Sequence, residues 1–118
     1  MGSAGYKMLV SRLRGRRDIV QVRFGELLEA TGGKRSTLNH YVRLGLLPYR
    51  RADNGYRYFA YTDSCRRIAL IRLLLRAPFH YPVDVIREIF AAQGIETLCQ
   101  KQAQSPRELR LYLVQQGF

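Results

Sequence analysis

The sequence predicts a mainly α-helical fold: a winged helix-turn-helix with a small two-stranded wing, two following helices and a short C-terminal helix. Residues 24–30 are helix formers that end at a glycine pair, and residues 34–44 have an apolar helical period that Gly45 closes. Asn54 and Gly55 then stand between two aromatic, basic segments, a pattern typical of a β-hairpin. These features order the parts as helix, turn, helix and hairpin.

The composition predicts a globular chain with a polyanionic partner. The 118 residues include 20 basic and 9 acidic residues, giving a net charge of +11, and 47% are apolar. This charge indicates nucleic acid first and an anionic membrane surface second, with a generic basic surface as the alternative. No apolar run approaches the ~20 residues of a membrane-spanning helix. Cys65 and Cys99 have no neighbouring ligand pair, which predicts no zinc site and suits a reducing cytoplasm.

The sequence divides into three segments. Residues 1–22 are a basic arm, residues 23–94 are the winged helix-turn-helix domain, and residues 95–118 are a linker and a helix for dimerisation or packing. The arm either follows phosphates or is a solvated leader, and both interpretations stay open. Residues 18–24 alternate somewhat in polarity and are compatible with a short strand.

The second predicted helix has two distinct faces. Its apolar residues Leu38, Tyr41 and Val42 have the spacing of a core-facing stripe. The opposite side is polar and consists largely of Arg35, Ser36, Asn39, His40 and Arg43. Such a face suits base edges in a major groove, where arginine pairs with guanine and asparagine with adenine. The alternative is an ordinary solvated helix face.

The predicted wing is both basic and aromatic. Arg50 and Arg51 precede the turn at Asn54 and Gly55, and Arg57 follows it. These side chains suit contacts to phosphates and sugars along a groove wall. The neighbouring aromatic residues would also stabilise the hairpin by cross-strand pairing, and the two roles are compatible.

Three further helices are predicted after the wing. Residues 61–76 and 83–93 have apolar stripes, and proline separates them. Ser105 to Glu108 form a capping box with proline at the first helical position, which starts a helix running to about residue 116. That last helix is apolar on more than one side, so we expect it to pack on the domain or on a second copy.

Several short motifs share the order and spacing of a known family. They are Gly25-Glu26-Leu27, Thr31-Gly32, Thr37-Leu38, His40-Tyr41, Gly45-Leu46-Leu47-Pro48, Asn54-Gly55-Tyr56-Arg57-Tyr58, Asp63 and Val85-Ile86-Arg87-Glu88-Ile89. With them, residues 22–93 resemble the MerR family of bacterial transcription regulators. The combination of the Gly-Leu-Leu-Pro motif with the hairpin motif is more specific than either motif alone.

The resemblance implies a dimer that binds an inverted repeat in duplex DNA, with the second helix in the major groove and the wing on the flanking backbone. Many members bend and untwist promoters that have an overlong spacer, which realigns the promoter elements for RNA polymerase, and others repress. It implies a cytoplasmic, nucleoid-associated bacterial protein with no cofactor. Its implied partners are duplex DNA, a second copy and RNA polymerase.

The predicted DNA-binding residues combine the polar helix face, the wing and the positions that match the family. The matching positions are Arg35, Thr37, His40, Tyr41, Arg57 and Tyr58. The full predicted set is Lys34, Arg35, Ser36, Thr37, Asn39, His40, Tyr41, Arg43, Arg50, Arg51, Asn54, Arg57 and Tyr58.

Some positions depart from the family pattern. Lys34 stands where members usually have Ser or Ala, Asn39 where they usually have Arg, and His40 where they usually have Tyr. The operator sequence therefore cannot be taken from a relative. Full-length members continue with a long coiled-coil helix and then an effector domain. In this sequence Gly94 and Ser105 interrupt any such helix. The prediction is a regulator without its own effector pocket, either a single-domain protein or a fragment.

Other functions compete with this one. Metal-sensing members have a cysteine near the position of Cys99 and more after it, and the later ones are absent, so metal sensing is not predicted. An architectural, excisionase-like factor would use the same winged module to bend DNA. An adaptor would bind a partner through the C-terminal helix. No catalytic constellation is recognisable, so an enzyme is not predicted.

Overall fold

The computed structural model describes residues 20–118, which form six helices and three short strands. In chain order these are β1 (Gln21–Arg23), α1 (Phe24–Thr31), α2 (Arg35–Arg43), β2 (Arg50–Arg51), β3 (Arg57–Ala60), α3 (Tyr61–Leu75), α4 (Val83–Ala92), α5 (Ile95–Gln104) and α6 (Pro106–Gln115). The mainly α-helical winged helix-turn-helix is confirmed. Most of the predicted basic arm, residues 1–19, lies outside the described residues. Within residues 20–118 no helix is both long enough and apolar enough to cross a bilayer.

The chain divides into two compact units, one ending at Cys65 and one beginning at Arg66. The sequence predicts a boundary after residue 94, at the end of the winged helix-turn-helix domain. The core side chains described in the first unit are Val22, Phe24, Leu27, Leu38, Tyr41, Val42, Leu46, Leu47 and Phe59. Those of the second unit are Ile68, Leu70, Ile71, Leu74, Phe79, Ile86, Ile89, Leu98, Leu109 and Leu113.

The predicted two-stranded wing, β2 and β3, is part of a three-stranded antiparallel sheet. The strand order is β1-β3-β2, so β3 is central. Val22 of β1 pairs with Phe59 of β3, and both side chains are fully buried. The short strand compatible with residues 18–24 is confirmed as β1. Two buried apolar side chains facing one core explain why the extra strand pairs here.

Helix α1 begins and ends with side-chain hydrogen bonds. At its start the Arg23 amide donates to Oε1 of Glu26 at 2.8 Å, which satisfies a backbone donor that precedes the helix. At its end the Thr31 hydroxyl donates to the Leu27 carbonyl oxygen at 2.8 Å. The tight turn that follows brings α2 close behind α1, as the helix-turn-helix prediction requires.

Helix α2 ends in a Schellman motif. Gly45 has φ of +81°, its amide donates to the Val42 carbonyl, and the Leu46 amide reaches back to the Tyr41 carbonyl, each at 3.0 Å. The backbone therefore turns sharply and buries both Leu46 and Leu47 at 1% exposure. At the other end Lys34 is the N-cap, and its side chain makes no capping hydrogen bond among the described residues.

The hairpin tip is a three-residue loop. The Gly55 amide donates to the Ala52 carbonyl and the Ala52 amide to the Tyr56 carbonyl, both at 2.9 Å, and Gly55 has φ of +87°. Within residues 20–118 the one non-glycine residue with positive φ is His80, so φ at Asn54 is negative. A type I′ turn would need positive φ at both central residues, so the tip is of the bulged kind that a single glycine permits.

The second unit contains a helix that the sequence does not predict. Residues 95–104, interpreted as a linker, form α5, with Gly94 at its N-cap and Leu98 fully buried. Gly94 starts a helix here rather than only ending the previous one. The recognisable sequence pattern is Ile95 and Leu98 at i and i+3 among good helix formers.

The last helix begins as predicted. Ser105 Oγ accepts from the Glu108 amide at 3.0 Å, and Pro106 occupies the first helical turn. Leu109 and Leu113 are fully buried, whereas Leu111 and Val114 are 47% and 57% exposed. The helix therefore buries one apolar stripe within its own unit and leaves the other face in solvent.

Candidate nucleic-acid interface

Helix α2 separates its two faces as predicted. Leu38, Tyr41 and Val42 are buried, with exposures of 0%, 6% and 9%. The opposite face is polar and solvent-exposed, apart from the half-buried Asn39. The exposed predicted residues of this helix and its N-cap are Lys34, Arg35, Ser36, Thr37, His40 and Arg43.

Tyr41 is the predicted contact residue that the structure removes from this surface. The sequence predicts both a core position and a DNA contact for it. At 6% exposure its ring belongs to the core beside Leu38, so it presents almost no surface to a ligand. The reason is the helical period, which places residues 38, 41 and 42 on one side.

The outer strand of the wing, β2, presents its arginines to solvent. Arg50 and Arg51 are both exposed, and Arg51 donates from Nη1 to the Gly55 carbonyl at 2.7 Å. Each guanidinium lies near an aromatic ring, Arg50 at 5.9 Å from Tyr58 and Arg51 at 5.8 Å from Tyr49. Such contacts orient an exposed arginine without removing its charge from solvent.

Asn54 serves the turn itself. Its Oδ1 accepts from the Tyr56 amide at 2.9 Å, and its Nδ2 lies 3.4 Å from the Tyr58 hydroxyl. The side chain is exposed, while Tyr58 is half-buried. Asn54 therefore fixes the shape of the wing tip and the position of the Tyr58 hydroxyl together.

Arg57, on the central strand, has a different environment from the outer arginines. It is half-buried, with its guanidinium carbon 5.0 Å from the ring centre of Phe24, 5.6 Å from Tyr49 and 5.9 Å from Phe59. Its Nη2 lies 3.4 Å from Oδ1 of Asn39 on α2. The side chain thus bridges the wing to the polar face of the second helix.

Phe24 joins these parts from the start of α1. Its ring is 7% exposed and lies 6.0 Å from that of Phe59. The Arg35 guanidinium lies 5.2 Å from the Phe24 ring and that of Arg57 lies 5.0 Å from it. One buried aromatic ring therefore sets the spacing of an arginine on α2 and an arginine on the wing.

Arg23 is a member of this surface that the sequence does not predict. Its guanidinium stacks on the Tyr56 ring at 3.8 Å from the ring centre. Arg23, Arg51 and Arg57 line a surface cavity of about 210 Å³. A basic residue in β1 reaches the wing only because β1 pairs with β3, and no local sequence pattern indicates that pairing.

Residues 24–59 match the family model described as MerR family regulatory protein. The match begins at the first residue of α1 and ends within β3, so it contains both helices and the wing tip. Residues 24–59 belong to the MerR family. We call this segment the MerR module. It is a DNA-binding regulatory domain and not an enzyme domain. No curated protein and no solved structure matches the chain.

Among residues 20–118, no group of three or more His, Cys, Asp or Glu side chains is placed to hold a metal ion. Cys65 and Cys99 form no disulfide. Burial raises the pKa of the Cys65 thiol, and a hydrogen bond with Tyr61 offsets part of that rise. The thiol form therefore dominates at neutral pH, and a thiol is a poorer metal ligand and nucleophile than a thiolate.

Proposed function

We propose that this protein is a transcription regulator that binds duplex DNA sequence-specifically through the MerR module. Helix α2 enters the major groove and the wing lies on the flanking backbone. We further propose that binding distorts promoter DNA and that the protein has no catalytic activity of its own.

One observation carries this proposal: the polar face of α2 lies directly beside the arginine-rich wing. The 3.4 Å approach of Arg57 to Asn39 places the two parts side by side. Arginine and asparagine are side chains that read base edges, and arginines on an adjacent hairpin suit phosphates. A duplex offers both kinds of group at this separation, since phosphates border the major groove.

The contacts divide by element. On α2, the exposed polar side chains and Asn39 face the bases and the adjacent phosphates. On the wing, Arg50 and Tyr58 contact the backbone. The cavity lined by Arg23, Arg51 and Arg57 would receive one phosphate, because three guanidinium groups supply several donors to its oxygens. Tyr41 packs in the core of the module and supports α2 from behind, without contacting the DNA itself.

We propose that two copies bind an inverted repeat, as the family implies, and that RNA polymerase is a partner at the promoter. Light scattering with and without DNA tests the first point. The expected result is two protein copies on each inverted-repeat duplex. One copy on that duplex at saturating protein would contradict it.

Binding of a fluorescent duplex at increasing salt tests the DNA-binding proposal. The logarithm of the association constant should fall linearly with the logarithm of salt, with a slope of about −0.9 for each neutralised phosphate. Absence of binding at low salt would overturn the proposal. Transcription from a reconstituted promoter then tests regulation. Bent DNA with unchanged transcript yield would favour the architectural alternative.

A further inference from the structure

We propose that Arg57 is a positioning residue for base recognition: it fixes the orientation of the Asn39 amide, so a wing residue sets the base preference of α2. This proposal rests on the proposed function and names a specificity determinant within it. It also gives Arg57 a role beyond a phosphate contact.

The geometry around Asn39 fixes which end of its amide faces the wing. A guanidinium group can only donate, so the atom of Asn39 that faces Arg57 Nη2 at 3.4 Å is the acceptor Oδ1. The donor Nδ2 therefore points away from Arg57. Without such a partner, an asparagine amide can rotate by half a turn and exchange its donor and acceptor.

Arg57 is itself held in place. Three aromatic rings, those of Phe24, Tyr49 and Phe59, lie within 5.9 Å of its guanidinium carbon. Its strand is central and paired on both sides. The exposed arginine directly opposite, Arg51, bonds instead to the Gly55 carbonyl. Arg57 is therefore preorganised before any ligand arrives, and it transmits that order to Asn39.

A fixed amide distinguishes bases better than a rotating one. A carbonyl oxygen has two lone pairs, so Oδ1 can accept from Arg57 and keep one lone pair for a base. Nδ2 then donates from a known direction. One base edge fits this arrangement, whereas a freely rotating amide would satisfy edges with the donor and acceptor exchanged. Releasing Asn39 should therefore broaden preference at one base position.

The test measures affinities for four duplexes that differ at one base pair, the pair at which Asn39→Ala causes the largest partial loss of preference. The wild type should prefer one duplex by roughly tenfold or more, in keeping with a good side-chain contact to a base. Arg57→Met, which leaves an unbranched chain among the rings without a donor, should reduce that ratio about as far as Asn39→Ala does. The double variant should show no further loss of preference.

The matched control is Arg51→Met, because Arg51 pairs across the strands with Arg57 and is exposed. It should weaken binding to all four duplexes by one common factor and leave the preference intact. Arg57→Lys keeps the positive charge but lacks the planar fork of guanidinium. It should retain most of the affinity and lose most of the preference, and thermal unfolding checks that each variant is folded.

Three results would overturn the inference. In the first, Arg57→Met weakens all four duplexes equally, as a pure backbone contact would. In the second, Arg57→Lys preserves the full preference, which is the deciding result if Arg57→Met does not fold. In the third, the losses of preference from Asn39→Ala and Arg57→Met multiply in the double variant. A wild type without preference for any duplex would instead refute sequence-specific binding itself, so the two failures are distinguishable.

Discussion

The two strands of the wing tip contain the same kind of residue in very different settings. On the outer strand, Arg50 and Arg51 are exposed, and their guanidinium groups lie near the Tyr58 ring, the Tyr49 ring and the Gly55 carbonyl. On the central strand, Arg57 is half-buried and Phe59 is fully buried. The outer strand presents positive charge to solvent, whereas the central strand holds its arginine in a fixed position beside Asn39. A count of arginines, two on the outer strand and one on the central strand, would not show this difference in setting.

Net charge shows the same limitation across the whole molecule. Residues 20–65 contain seven basic and four acidic residues, and residues 66–118 contain eight and four. The two units are thus similarly basic. In the first unit, Arg23, Arg35 and Arg57 lie over aromatic rings around one surface. In the second unit, Arg67 lies over the Phe90 ring. We infer that arrangement, not total charge, locates the interface.

The largest effect that separates the two strands should come from Phe59→Ala. Phe59 is 0% exposed and packs near Phe24 and Tyr49. Its truncation should lower the free energy of unfolding by about 3–5 kcal/mol, because a cavity replaces a buried ring. Urea denaturation followed by circular dichroism measures the change. The control, Arg50→Ala on the outer strand, should alter it by no more than about 0.5 kcal/mol. Equal losses in both variants would break the comparison.

A smaller effect is expected from the loop that joins the strands. Gly55→Ala should lower the free energy of unfolding by about 1–2 kcal/mol, because φ of +87° disfavours any Cβ. No atom lies within 4 Å of the added carbon, so the cost is backbone strain alone. Gly25→Ala, also free of contacts but with ordinary φ, should cause no loss in the same denaturation assay. If Gly55→Ala also leaves the free energy of unfolding unchanged, the positive φ at Gly55 does not contribute to stability as described.

The smallest effect on stability, with a clear effect on binding, is expected from Arg51→Ala. The free energy of unfolding should change by no more than about 0.5 kcal/mol, since the side chain is exposed. The salt dependence of duplex binding should become shallower by about 0.9, as expected for one lost phosphate contact. Fluorescence anisotropy over a range of salt concentrations measures that slope. An unchanged slope would exclude Arg51 from the backbone contacts.

Much of this fold could be predicted because its determinants are local. The helical period of α2, the glycine that ends it and the capping box of α6 each lie within a few neighbouring residues. They are confirmed in the structure. The hairpin at Asn54 and Gly55 was equally predictable, although its turn type was not, since a type I′ and a bulged turn share that dipeptide.

The remaining features depend on contacts between distant residues. Strand β1 joins the sheet because Val22 and Phe59 share a core, and these residues are far apart in sequence. Arg23 consequently contacts the Tyr56 ring, and no local sequence pattern predicts this contact. Likewise, the sequence spacing of Asn39 and Arg57 does not indicate that three aromatic rings hold the Arg57 side chain beside Asn39. Helix α5 was hidden for another reason, because glycine and proline flank it and look like breaks.

Selection from random duplexes tests the central claim, sequence-specific DNA binding by the MerR module, most directly. The wild-type protein should enrich one motif, and Asn39→Ala, selected in parallel, should enrich the same motif with one position degenerate. The matched variant Arg51→Ala should recover the full motif from fewer bound molecules. Failure of the wild-type protein to enrich any motif would contradict the claim.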